Sequence, residues 1–155
     1  MALQKVDEKS QKAQHAIECI RNDSKLKLEI VLNCLEFTWN CPVVQQPDYG
    51  TIEIVYTPDR RIAETKSLKF YLQTYRYRNA FNEELCQRIA LDFIYYVQPV
   101  DLTVTLKQNQ RGGIQNISSI EYIAERDSSL VKNYTPKKDF RGGWPMLTKE
   151  FLKSL

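Results

Sequence analysis

The chain has 155 residues, of which 43% are hydrophobic and 26% charged, and its formal net charge is +3. This length suits one domain with its own core, and the composition is ordinary for a soluble globular protein. The mild positive charge permits an anionic ligand without requiring nucleic acid, and no apolar run is long enough to span a membrane. The single histidine, His15, argues against a Ser-His-Asp triad and a histidine-rich metal centre, so we expect no metal site.

The cysteines carry information about location. The four, Cys19, Cys34, Cys41 and Cys86, contain no C-x-x-C pair of the kind found in zinc or redox sites. The polar N-terminus does not have the apolar stretch of a signal peptide. Widely spaced cysteines without a secretion signal are typical of reduced thiols, and we expect a cytoplasmic protein.

The chain is predicted to contain a polar N-terminal extension (1–25), one domain (26–124) and a basic C-terminal extension (125–155). The first extension could form a short helix over 4–21. Alternating apolar residues predict strands at 26–37, 51–56, 101–107 and 114–124. Helical spacing predicts one helix from a Thr65 cap to about Arg78 and a second over 83–97 with Asn82 as its cap. Apolar residues near the end predict a short amphipathic helix: Leu147, Phe151, Leu152 and Leu155.

This order of elements, ββααββ, predicts an α+β domain. Its antiparallel four-stranded sheet would carry both helices on one face. Such a small sheet has two open edges. Sheets joined edge to edge around a ring would remove those edges, so we expect a homo-oligomer with sites between subunits.

One loop stands out chemically because it holds a thiol and a carboxylate between two prolines. Cys41 is followed by Pro42, and Pro47 precedes Asp48. Prolines stiffen a loop by fixing φ and removing N–H donors. One interpretation is a cysteine nucleophile with an aspartate that acts as general acid or base. The other is a buried structural cysteine and an aspartate in a Pro-Asp-Tyr-Gly turn.

Three segments together resemble a known family. They are Cys41-Pro-x-x-x-Gln46-Pro47-Asp48, then Glu64-Thr65-Lys66-Ser67-Leu68-Lys69-x-Tyr71-Leu72, then Arg111-Gly112-Gly113-Ile114. The combination resembles the short form of the tunnelling-fold nitrile reductases over roughly residues 35–123. That family reduces 7-cyano-7-deazaguanine to 7-aminomethyl-7-deazaguanine with NADPH in queuosine biosynthesis.

The resemblance assigns roles to particular residues. It implies that Cys41 attacks the nitrile carbon to give a covalent thioimide and that Asp48 is the general acid. The substrate-binding residues it implies are Glu83 in the run Phe81-Asn82-Glu83, together with Glu64 and Thr65 facing a neighbouring subunit. Three cations, Lys66, Lys69 and Arg111, match the NADPH phosphates. Without the resemblance, the two lysines would be interpreted as part of a solvated helix face and Arg111 as an arginine in a turn.

The chain also departs from the family. Asn82 stands where the family usually has a histidine that assists proton transfer, and asparagine does not titrate. Val44-Gln45 replaces the usual Thr-Gly of the catalytic loop. The extension over 125–155 is also unfamiliar.

Three functions therefore remain open. The first is the NADPH-dependent nitrile reductase, which the lysines between Glu64 and Lys69 favour. The second is a related enzyme that forms the same thioimide on a nucleic-acid-bound cyano-deazaguanine and adds ammonia, as in archaeosine. The third is a paralogue that binds a deazapurine or pterin and has lost catalysis.

Overall fold

The structure is a computed structural model, and it describes residues 16–137. The predicted amphipathic helix near the C-terminus lies outside the described residues, as does most of the helix predicted over 4–21. The end of that predicted helix is a strand, so the helix prediction was wrong there. The described helices include none that is both long and apolar enough to cross a membrane.

Two antiparallel sheets and three helices make up the described chain. The strands are β1 (Cys19–Arg21), β2 (Ile30–Asn40), β3 (Pro47–Thr57), β4 (Arg61–Ala63), β5 (Asp101–Gln108) and β6 (Ile117–Ile123). The helices are α1 (Thr65–Gln73, continued by a 3-10 turn over Thr74–Tyr77), α2 (Asn82–Val97) and α3 (Ala124–Val131). The main sheet has the order β2-β3-β5-β6, and β1 pairs with β4 in a small second sheet.

The core lies between one face of the main sheet and helices α1 and α2. The inner face follows from strict alternation on the two central strands: Ile52, Ile54 and Tyr56 pair with Leu106, Val104 and Leu102, and all six are buried. Helix α2 packs on β5 and β6, and α1 packs on β2. The predicted α+β class, the antiparallel four-stranded sheet and the helices on one face agree with this arrangement. The predicted order ββααββ is incomplete, because it omits β1, β4 and α3.

A β-bulge in β2 changes which residues of that strand face the core. Cys34 pairs with Ile52 and Phe37 pairs with Gly50, so β2 carries one extra residue between these pairs. The extra residue shifts the inward positions from even to odd numbers. Phe37 and Trp39 are therefore buried. Simple alternation could not predict this shift, which decides the orientation of the loop after Asn40.

Both predicted helix caps were wrong. Helix α1 is capped by Glu64 rather than Thr65, and the Glu64 carboxylate accepts hydrogen bonds from the backbone N–H groups of Lys66 and Ser67 at 2.7 Å each. Helix α2 has Phe81 at its N-cap and Asn82 inside its first turn. The predicted fourth strand begins three residues later than expected, at Ile117.

The domain boundaries remain predictions. Ile17, in the proposed N-terminal extension, is buried in the core. Tyr134, in the proposed C-terminal extension, donates a hydrogen bond to Asp92 of α2 at 2.6 Å. Both extensions therefore contact the domain where the structure describes them.

Candidate active site

The β2–β3 hairpin places Cys41 and Asp48 on the same side. Asn40 pairs with Pro47 and Trp39 pairs with Asp48, so Cys41 begins the connecting loop and Asp48 lies at its far end. The loop is closed by two backbone hydrogen bonds, Cys41 N–H to Gln46 carbonyl at 2.8 Å and Gln45 N–H to Cys41 carbonyl at 2.9 Å. Trp39 and Asp48 are cross-strand partners and share the inward face of the sheet. Asp48 is accordingly only 3% exposed.

Asp48 forms an ion pair with Arg111, from the connection between β5 and β6. The Arg111 guanidinium donates a close hydrogen bond to Asp48 Oδ1 and a second one to Gln46 Oε1 at 3.2 Å. The hydrogen bond to Asp48 is the main cause that raises the pKa of Arg111, and the Cys41 sulfur adds a smaller contribution. The thiol, the carboxylate and the guanidinium therefore form one cluster.

The turn that carries Arg111 depends on two glycines. Arg111 and Ile114 exchange backbone hydrogen bonds at 2.9 and 3.0 Å, which closes a two-residue turn. Gly112 and Gly113 both have positive φ, at 57° and 81°. Turns of this kind need φ above zero at both central positions, which glycine adopts at no steric cost. The Arg-Gly-Gly motif is thus a turn that presents its arginine to Asp48.

A third glycine lets the two hairpins approach each other. A Cβ atom on Gly50 would lie 2.3 Å from the carbonyl oxygen of Lys107 on the neighbouring strand. Because backbone cannot move out of the way cheaply, the position requires glycine. Gly50 therefore contributes to the register that brings Asp48 to Arg111.

Cys41 differs from the other cysteines in its surroundings. Burial raises the pKa of Cys19 and of Cys34, and it raises that of Cys86 to about 11, which makes all three poor thiolates. Cys41 is half-buried at a loop and lies beside the Arg111 cation. A cation beside the sulfur suits a thiol that must carry negative charge when it attacks an electrophile.

The segment that leads into α2 lies next to the cysteine loop. The Asn40 N–H donates to the Arg78 carbonyl at 2.9 Å, and the Asn40 carbonyl accepts from the Ala80 N–H at 3.1 Å. These two bonds hold residues 78–80 parallel to the end of β2. The run Phe81-Asn82-Glu83 follows directly, so the structure brings it to the side of the site that also holds Cys41.

The first turn of α2 belongs to a network of polar side chains. Asn82 is 5% exposed, and its Nδ2 donates to Asn116 Oδ1 and Ser118 Oγ at 3.1 Å each. Asn116 Nδ2 donates to Glu83 Oε1 at 2.7 Å. Glu83 itself is exposed, while the half-buried Phe81 provides the N-cap backbone. The Glu83 carboxylate is therefore held by Asn116 through one oxygen and is otherwise open to solvent.

The predicted residues at the start of α1 lie elsewhere. Glu64 donates its backbone N–H to the Glu18 carbonyl at 2.9 Å, which ties the start of α1 to the chain just before β1. Thr65 and Lys69 line a groove between α1 and β2, and the described residues lining it do not include Cys41, Asp48 or Arg111. Lys66 is exposed in the same turn. The structure therefore separates these residues from the cysteine cluster within one chain, whereas Arg111 belongs to that cluster.

Sequence reasoning missed Asn116 and Ser118. Neither stands in a recognisable motif, and their role depends on β6 lying beside the first turn of α2. The one available signal was their position shortly after Arg-Gly-Gly, on the strand that follows the turn.

Comparison with known proteins identifies the family. The sequence profile described as "QueF-like protein" matches residues 47–127. The chain belongs to this family. A protein of Frankia casuarinae named "NADPH-dependent 7-cyano-7-deazaguanine reductase" is 43% identical over 125 residues, which cover 81% of this chain and 99% of the relative. Proteins of the same name from Rhodopirellula baltica and Helicobacter pylori (strain Shi470) are 47% and 44% identical, over 60% and 72% of this chain and 77% and 72% of the relatives.

The match to the QueF-like family contains most of the candidate site. Asp48, the residues from Glu64 to Lys69, the run Phe81-Asn82-Glu83 and Arg111 all lie within residues 47–127, and Cys41 lies six residues before them. Among solved structures, the archaeosine synthase QueF-Like in the apo form matches with a TM-score of 0.55 at 20% identity, over 64% of this chain and 95% of that one. At this identity the likeness concerns the fold.

Proposed function

We propose that this protein is an NADPH-dependent nitrile reductase that converts 7-cyano-7-deazaguanine to 7-aminomethyl-7-deazaguanine. The observation that carries the proposal is the cluster of Cys41, Asp48 and Arg111 beside the segment that holds Glu83. The names of the relatives support the substrate and the cofactor. A half-buried thiol next to a buried carboxylate is suited to adding across a carbon–nitrogen triple bond.

The first chemical step uses Cys41 and Asp48. The Cys41 sulfur attacks the electrophilic nitrile carbon, a C–S bond forms, and one π-electron pair of the nitrile moves to nitrogen. We propose that the Asp48 carboxylate, which is ion-paired with Arg111, accepts the thiol proton as the sulfur attacks. The same carboxyl then gives that proton to the nitrile nitrogen, so the thioimide forms without a net gain or loss of protons.

We propose for Arg111 a role in addition to the one that the family resemblance implies. The resemblance predicts that Arg111 binds NADPH phosphates, and in this chain its guanidinium also donates hydrogen bonds to Asp48 and Gln46. We assign it to the proton-transfer pair. Its partly exposed side chain can still face a ligand, since its five donors exceed the two hydrogen bonds named here.

Lys66 and Lys69 are the residues that would hold the phosphates of NADPH. Both are exposed at the start of α1. The backbone N–H groups at that helix terminus already bind the Glu64 carboxylate, so the side chains rather than the helix end would meet the phosphates. NADPH bound there would supply hydride, and two molecules in succession would be needed to take the nitrile to the amine.

Recognition of the deazaguanine base falls to Glu83. A carboxylate accepts hydrogen bonds only, so it pairs with the N–H edge of a guanine-like ring. Phe81 and Asn82 flank Glu83, and we propose all three as substrate-binding residues. Glu64 and Thr65 would complete the site from a neighbouring subunit, since within one chain they lie apart from Cys41.

The proposal includes an assembly and a location. We propose a tunnelling fold whose sheets join at β2 and β6, the two edges of the main sheet. A ring of this kind would bring the start of α1 to the cysteine cluster of the next subunit. The four free cysteines in the sequence are the reason to place the protein in the cytoplasm.

Asn82 favours one alternative. Because asparagine cannot relay a proton, the later protonations of a reductive pathway lose a titrating group at this position. A site that forms the thioimide and then accepts ammonia would be the amidine-forming enzyme of the family. The purified protein with 7-cyano-7-deazaguanine and NADPH distinguishes the two: nicotinamide oxidation with release of the amine supports the reductase. If NADPH is not oxidised and an amidine is released only when ammonia is present, the amidine-forming enzyme would replace the reductase as the proposed function.

A further inference from the structure

Asn116 links the two side chains that begin α2. Its Nδ2 donates to Glu83 Oε1 at 2.7 Å, and its Oδ1 accepts from Asn82 Nδ2 at 3.1 Å and from Ser118 Oγ at 3.2 Å. Asn116 is the residue just before β6, so its side chain reaches α2 from a different part of the chain. Both ends of its amide are engaged.

The direction of this hydrogen-bond chain is determined by Glu83. A carboxylate only accepts, so Asn116 must present its NH₂ group to Glu83 and its oxygen to Asn82. Asn82 must then present its own NH₂ group, which donates to Asn116 and Ser118. This leaves the buried Asn82 Oδ1 without a hydrogen-bond partner among the described residues. The arrangement leaves that oxygen unpaired and uses the Asn82 amide to hold Asn116 in place.

The effect on Glu83 is to fix one of its two oxygens. Glu83 is exposed, and an exposed glutamate ordinarily samples several rotamers. With Oε1 held by Asn116, the carboxylate plane is oriented, and Oε2 and the second lone pair of Oε1 are left to accept hydrogen bonds from a ligand. Preorganising an acceptor in this way removes an ordering cost from binding.

The same connection between β5 and β6 also carries Arg111, which holds Asp48. Two side chains of this connection, Arg111 and Asn116, therefore contact the proposed proton-transfer group and the proposed base-recognition group respectively. A short piece of chain sets the positions of both.

We propose that Asn116 is a positioning residue that orients Glu83 for a purine-like base with two adjacent N–H donors, and that Asn82 acts by holding Asn116. The inference rests on the proposed function, because it assumes that Glu83 receives the base. It goes further in naming a residue outside the family-derived site and in giving Asn82 a task other than proton transfer.

A binding experiment on a Cys41→Ala background tests this role, since it removes the covalent step. The dissociation constant of 7-cyano-7-deazaguanine is measured by calorimetry for added Asn116→Ala, Glu83→Ala and the double change. Asn109→Ala is the matched control, because Asn109 is an exposed asparagine in the same connection. We expect Asn116→Ala to weaken binding roughly tenfold, the scale of one hydrogen bond to a charged group, and the control to bind as the background does.

Two further results separate positioning from simple structural support. The double variant should bind no more weakly than Glu83→Ala, since Asn116 acts through Glu83. An analogue that lacks the 2-amino group should lose less affinity on Asn116→Ala than the full base does. Should Asn116→Ala fail to fold, Asn116→Asp, which has the same shape but no donor, takes its place and should also weaken binding.

Additive losses in the double variant, equal losses for both ligands, or no loss on Asn116→Ala would each overturn the proposal while leaving the proposed function intact. If the Cys41→Ala protein and the wild type both bind no deazaguanine, the proposed function falls and the role of Asn116 falls with it.

Discussion

Asp48 and Asp92 are both buried, at 3% and 2% exposure, and each is paired with an arginine, yet their surroundings differ. Asp92 accepts hydrogen bonds from Tyr71 and Tyr134 at 2.6 Å each and from Arg88 at 3.0 Å. Three donors from α1, α2 and the segment after α3 therefore converge on one carboxylate. A carboxylate enclosed in this way joins parts of the chain and is closed to a ligand.

Asp48 lies at the boundary between core and solvent. Its partner Arg111 has a side chain that is 42% exposed, whereas the side chain of Arg88 is 9% exposed. Next to Arg111 are the loop residue Gln46 and the half-buried Cys41. The same pair of residue types is therefore enclosed at Asp92 and partly open at Asp48, and this exposure is why we propose a chemical role for Asp48 alone.

The largest expected effect concerns stability at the enclosed pair. Asp92→Asn removes the charge that Arg88 and two tyrosines share, and breaking a buried ion pair costs about 3–5 kcal/mol. The free energy of unfolding, measured in urea, should fall by this amount, while the activity of the protein that remains folded should hold. Glu121→Gln is the control, because its exposed pair with Arg126 should contribute less than about 1 kcal/mol. A loss at Asp92 no larger than that of the control would remove the contrast between the two sites.

The next effect concerns catalysis at the accessible pair. Asp48→Asn keeps the shape of the side chain but cannot move a proton, and we expect thioimide formation to slow by about a hundredfold or more. Intact-mass measurements on samples quenched at successive times give this rate. Calorimetry should show that the ligand still binds. Asp59→Asn in the exposed turn after β3 serves as the control. A variant at Asp48 that forms the adduct at the wild-type rate would exclude it as the proton carrier.

A smaller effect tests whether the segment after α3 is held by Asp92. Tyr134→Phe removes one donor from the buried carboxylate, and the free energy of unfolding should fall by about 1–2 kcal/mol. Burial is the first cause that raises the pKa of Tyr134, and its hydrogen bond to Asp92 is the second. Tyr77→Phe, at a well-exposed tyrosine, should leave stability unchanged. Equal stability of the two variants would mean that the Tyr134 hydrogen bond contributes nothing.

The smallest effect is a pH dependence at the start of α1. The backbone N–H groups of Ser67 and Lys66 lower the pKa of Glu64. The stability that this charge contributes is present above its ordinary value of 4.5 and is lost as the pH falls through the lowered folded value. Glu64→Gln should therefore flatten the acid side of the curve of melting temperature against pH. An unchanged slope would indicate that the cap contributes through its hydrogen bonds alone.

Much of the fold followed from period-two and helical patterns because the central strands and α2 are strictly alternating or amphipathic. The bulge in β2, the pairing of β1 with β4 and the caps could not be predicted, since each depends on tertiary contacts. Glu64 serves as a cap because β1 fixes the chain before α1, whereas Thr65 was the better cap by propensity alone.

The candidate site likewise contains residues that the sequence could suggest and pairings that only the structure shows. Cys41 and Asp48 could be proposed from the sequence because two prolines adjoin them in one loop and because the motif resembles that of the nitrile reductases. The pairing of Arg111 with Asp48 and of Asn116 with Glu83 depends on the register of β5 and β6, and no local pattern encodes it. The structure therefore adds the partners of the proposed catalytic and substrate-binding residues rather than those residues themselves.

The central claim is that Cys41 forms a covalent bond to the nitrile. Intact mass of the wild-type protein with 7-cyano-7-deazaguanine, without NADPH, tests it most directly. Addition across the triple bond loses no atoms, so we expect a mass increase equal to the whole ligand, mapped by peptide digestion to Cys41. The increase should persist in Cys34→Ala and be absent in Cys41→Ala. A wild-type protein that gains no mass, or a Cys41→Ala protein that still gains it, would contradict the account.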